Sequence, residues 1–77
     1  MGEMKGVISV KGNEPHTYLA FTAENGDIYK VEGEMVKELR EKYQGTTVKI
    51  KGKLIKEKPG FGPGVIEIIK ITEVYKD

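Results

Sequence analysis

Five short runs of alternating apolar and polar residues, interrupted by one stretch of helical period, leave this chain few ways to hide its apolar side chains. The runs are 6–11 (GVISVK), 17–23 (TYLAFTA), 27–32 (DIYKVE), 46–55 (TTVKIKGKLI) and 65–74 (VIEIIKITEV). The first is rich in β-branched residues, and the others follow the period of a half-buried strand. Between the third and fourth runs, 34–45 (EMVKELREKYQG) changes period. There Met35, Val36, Leu39 and Tyr43 fall on one stripe, while Lys37–Glu41 and Glu38–Lys42 are spaced i,i+4 on the outside. The pattern predicts a helix from about Glu34 to Tyr43 or Gln44. Glu34 would sit in the first turn, where the helix dipole favours it, and Gly45 would be the C′ residue.

The turn residues fix how the runs connect. Gly12-Asn13-Glu14-Pro15 breaks the first run from the second, and Asn25-Gly26 marks a hairpin between the second and third. A two-residue Asn25-Gly26 loop would set Phe21 opposite Lys30 and Leu19 opposite Glu32, mixing charge into the core face. A three-residue loop, Glu24 to Gly26, sets Phe21 opposite Tyr29 and Leu19 opposite Val31. A slip of one residue inverts every side chain, so burial selects the three-residue loop, with Gly26 in the left-handed conformation that closes it. Phe21, Tyr29, Leu19 and Val31 are then expected inside. Tyr18, Ala20, Thr22, Ile28, Lys30 and Glu32 form the outer face, with Tyr18 and Lys30 exposed. In the fourth run Val48, Ile50 and Leu54 point inward and Lys49, Lys51 and Lys53 outward. The last run changes phase between Ile68 and Ile69, which predicts a bulge there.

Five strands in a chain of 77 residues cannot cover both faces of a flat sheet, so the sheet must close on itself. One helix between the third and fourth strands would plug an open end of the barrel with Val36, Leu39 and Tyr43. The expectation is therefore a mainly β, five-stranded Greek-key barrel of OB-fold type, a single domain over residues 1–77. An SH3-like barrel has no natural place for a three-turn helix at that point. The stretches GDIYKVEG, VKELREKYQGTTVKIKGKLI and VIEIIKI resemble the small OB-fold domains of the tRNA-anticodon-binding-like group and their stand-alone relatives, over roughly residues 5–75. That resemblance to a nucleic-acid-binding OB group implies the fold; the matching elements are structural signatures and carry no catalytic residue.

Composition narrows the chemistry. Without cysteine there is neither a disulfide nor a thiolate metal site. The one serine, Ser9, is expected to face outward with no histidine near it in sequence. The one histidine, His16, lies in a loop beside Glu14, and a lone histidine with scattered carboxylates makes no metal site. The glycines of KEKPGFGPG (56–64) match no phosphate-cradling spacing, and no helix follows them. No enzyme and no cofactor is expected. The first ten residues contain no long apolar run or cleavage site, so a cytoplasmic chain outside the membrane is expected. Abundant Lys, Glu and Ile beside a single Gln is common in proteins of very hot habitats.

Thirteen basic residues face twelve acidic ones, a net charge of +1. Positive charge is concentrated at 49–58, where five lysines stand against Glu57. The stripe Lys49, Lys51, Lys53 has the pattern of a solvated strand face, with a polyanion-contacting surface as the alternative. In OB-folds the outer face of the second and third strands, bordered by the 1–2 and 4–5 loops, receives oligonucleotides and oligosaccharides. Here it would present Tyr18, Ile28 and Lys30, with Lys11 and His16 on one side and Lys56, Lys58 and Phe61 on the other. Aromatic rings for bases and cations for phosphates are the requirements for single-stranded RNA or DNA. Phe61 either offers a stacking ring or folds back as the clasp of its loop. The expected partner is single-stranded nucleic acid, and the alternative is a protein bound at the same face or at a barrel edge.

Overall fold

The computed structural model describes residues 2–13, 15–56 and 64–75. In them the alternating runs become β1 (Gly2–Asn13), β2 (His16–Ala23), β3 (Ile28–Glu32), β4 (Thr47–Lys56) and β5 (Gly64–Tyr75), with α1 (Val36–Lys42) between β3 and β4. The strands bond in the order β1-β2-β3-β5-β4, and β4 returns to β1 to close the barrel. All neighbours are antiparallel except β3 and β5, which run parallel. This is the OB-fold. Its core joins Ile8, Leu19, Phe21, Val31, Val48, Ile50, Ile66 and Ile68 from all five strands with Leu39 from the helix. Among the described residues no polar or charged side chain is buried.

Burial sets the β2–β3 register as expected. Phe21 stands opposite Tyr29, and Leu19 and Val31 are buried. The Ala23 amide donates to the Asp27 carbonyl (2.8 Å) and the Gly26 amide to the Ala23 carbonyl (2.9 Å), which encloses a three-residue loop. Gly26 has φ of +95°, and the Asn25 Oδ1 accepts the Asp27 amide at 3.0 Å. Nothing crowds Gly26, so Gly26→Ala tests the backbone alone. It is expected to destabilise by about 1–2 kcal/mol, the cost of a left-handed L-residue. Urea unfolding with an unchanged midpoint would contradict this.

Several expectations need correction. Tyr29 is only half-buried, and so is Tyr18 on the opposite face. Ala20 faces outward yet is 0% exposed, because its methyl is flanked by Ser9 and Lys30 on the two neighbouring strands. The first strand begins at Gly2 rather than Gly6, since its early residues pair with β4 from Gly2–Gly52 to Val7–Thr47. That pairing also explains Leu54. It keeps its inward phase opposite buried Ile66 but is 45% exposed. Among the described residues β4 beyond Gly52 has β5 beside it and no longer β1, so Leu54 and Ile55 stand outside the closed barrel. The expected bulge is present: Lys51 pairs with Lys70 and Gly52 with Ile68, leaving Ile69 unpaired. A second irregularity leaves out Thr72, whose hydroxyl donates to the Lys49 carbonyl at 3.2 Å.

The helix is shorter than its periodicity suggested. Glu34 and Met35 precede it, Glu38 is the acid of its first turn, and Tyr43 is its C-cap. Gly45 is therefore not C′. It occupies the positive-φ position of the next turn (φ +79°), and its amide donates to the Ile8 carbonyl at 2.7 Å. The tether to β1 ends the helix one or two residues before the expected Tyr43 or Gln44. Leu39 is fully buried, with Val36 and Tyr43 partly buried against the same core, so the plug is as expected. Glu38–Lys42 approaches to 4.0 Å, whereas among the described residues Lys37 and Glu41 form no ion pair.

Candidate functional site

Strand pairing decides which outer-face residues meet. β2 lies between β1 and β3, so its outward side chains form the middle of the face. Tyr18 is directly opposite Lys11, and Thr22 stands between Val7 on β1 and Ile28 on β3. A second row runs Ser9–Ala20–Lys30–Val65–Lys56 across all five strands. Lys30 and Lys56 are thus two strands apart in one row, about 10 Å between Cα atoms. Tyr18 and Lys30 lie one strand and two residues apart, about 8 Å. Lys30 is exposed, while Lys11, Tyr18, Thr22 and Ile28 are half-buried.

His16 is the first residue of β2 rather than part of the loop. It is exposed and opposite Asn13, two residues from Tyr18 and so in the same phase. Lys11, His16 and Tyr18 therefore gather at the β1–β2 end, with Lys30 and Ile28 at the centre. Lys56 joins through its backbone position, and Lys58 and Phe61 lie outside the described residues. Arg40 was not anticipated: its guanidinium donates to the Thr17 hydroxyl at 3.2 Å, which ties a helix cation to the start of β2 on the strand side opposite to Tyr18. No periodicity reveals this, because it depends on how α1 docks.

The charge is mixed. Glu32 and Glu67 stand opposite each other on β3 and β5, at the end toward the helix. The lysine stripe on the far wall is interleaved with acids: Lys49 faces Glu73, Lys51 faces Glu3 and Lys53 faces Glu67. Ser9 lies opposite Ala20, away from His16. Among the described residues no group of three His, Asp or Glu is placed to hold a metal, and no helix is long and apolar enough to cross a membrane. No family model, curated protein or solved structure matches the chain.

Proposed function

We propose that the protein is a small OB-fold binding module for single-stranded RNA or DNA, with little sequence preference. One observation carries this: Tyr18, a half-exposed ring, stands in direct register with Lys11 on the outer β2–β3 face. A base stacks on the ring while its phosphates meet Lys11 and His16 at one end and Lys30 further along. Ile28 and Thr22 offer apolar and hydroxyl contact between them. Stacking tolerates any base, and phosphate contacts carry no sequence information. Glu32 and Glu67 confine phosphates to the other rows of the face, so affinity is modest.

An oligonucleotide titration followed by NMR tests it. Three or four phosphate contacts on a single strand give a log–log salt slope of roughly −2 to −3. Tyr18→Ala is expected to cost about 1–3 kcal/mol of binding with the fold intact. Binding that spares Tyr18, Lys30 and Lys11 would place the ligand elsewhere. The absence of any shift at low salt would favour a second reading, a protein-interaction module. What supports that alternative is Leu54 and Ile55, 45% and 50% exposed on β4 beyond the outermost described β1 pair, Gly2–Gly52.

A further inference from the structure

Among the described residues, charges opposed across the β1–β4–β5 wall are of opposite sign with two exceptions, Lys5 opposite Lys49 and Lys51 opposite Lys70. Lys5 is compensated. Its Nζ lies 4.1 Å from the Tyr75 ring centroid and 4.0 Å from the Glu24 carboxylate. Among the described residues Lys51 and Lys70 make no ion pair, and like charges directly opposed across strands destabilise one another. The Lys51–Lys70 pair is bracketed by the irregularities at Ile69 and Thr72, and such bulges re-aim side chains. A depression opens at this place, lined by Gly2, Glu3, Lys51, Lys70 and Thr72.

We propose that Lys51 and Lys70 form a phosphate-binding site on the barrel wall away from the β2–β3 face. A phosphate bridging the two ammonium groups turns their repulsion into two favourable contacts. The Thr72 hydroxyl already donates its proton to the Lys49 carbonyl, so recognition is by charge rather than directed hydrogen bonds. Glu3, opposite Lys51 on β1, leaves the three side chains at a net +1 and keeps binding weak and exchangeable.

The test is an amide NMR titration with inorganic phosphate, with ionic strength held constant by chloride. Saturable shifts are expected at Gly2, Lys51, Lys70 and Thr72. Lys70→Gln should weaken them about three- to fivefold, the range of an exposed charge contact, whereas Lys37→Gln on the helix should change nothing. Without phosphate, Lys70→Gln should raise the unfolding midpoint, since it relieves the repulsion. Shifts spread evenly over all lysines, or an equal response in Lys70→Gln, would overturn the site. A thymidine oligonucleotide separates the sources. Shifts here that depend on Lys70 identify a strand's phosphodiester, and a response to inorganic phosphate alone identifies the free ion. Either response should survive Tyr18→Ala, so failure of the β2–β3 face and failure of this site are read separately.

Discussion

Leu39→Ala is expected to destabilise the protein by about 2–5 kcal/mol, since it deletes fully buried volume that the surroundings refill only in part. A domain of 77 residues has a total stability of roughly 4–12 kcal/mol, so this variant stands near its unfolding threshold. The helix has little to fall back on. Its seven residues, Val36–Lys42, are too few for a helix to persist in water by itself. Leu39 is also its structural centre: the Leu39 amide donates to the Met35 carbonyl, and its carbonyl accepts the Tyr43 amide, both at 2.9 Å. Urea unfolding monitored by circular dichroism measures the loss. A change under about half a kcal/mol, well below the usual range for such a truncation, would mean the helix does not plug the barrel.

Gly6→Ala is expected to be at least as damaging, by the opposite mechanism. A Cβ at Gly6 would run into the Thr22 carbonyl oxygen and lie 2.7 Å from the Phe21 Cζ. Overpacking usually costs about 1–3 kcal/mol because side chains can shift. Here one obstacle is backbone. Gly6 is paired on both sides, with Ala23 on β2 and Val48 on β4, so moving away breaks the ladder that closes the barrel. The loss should therefore reach about 3 kcal/mol or more, beyond ordinary overpacking. Gly2→Ala is the control, since nothing lies within 4 Å of a Cβ there. Equal melting temperatures for Gly6→Ala and Gly2→Ala would show that β1 has slack the closed barrel does not display.

Nothing in the local sequence distinguishes Gly6 from Gly2, and the same limit applies across the molecule. Local order was legible where periodicity and turn chemistry agree. The Glu24–Gly26 loop, the Phe21–Tyr29 pairing and the unpaired Ile69 all follow from which side chains must be buried along one strand or hairpin. The OB topology followed from too few strands to cover an open sheet and one helix placed between the third and fourth. The outward phase of Tyr18, Ile28 and Lys30 came from the same alternation.

What crosses between distant strands was not legible. Leu54 obeys the alternation but lies beyond Gly2–Gly52, the outermost β1–β4 pair among the described residues, so its exposure depends on the offset between β1 and β4. Gly45 was assigned by helix rules, and its tether to Ile8 moved the end of the helix. Arg40 reaches Thr17, and Lys51 meets Lys70, only because the barrel closes with particular docking and with bulges at Ile69 and Thr72. Period and propensity are properties of neighbours in the chain, so the sequence by itself determined the strands, the hairpin register and the need for closure. Stagger, docking angle and charge juxtaposition arise between segments whose relative placement is set by packing the whole core at once. The tertiary structure alone therefore decided which cations meet on each wall of the barrel.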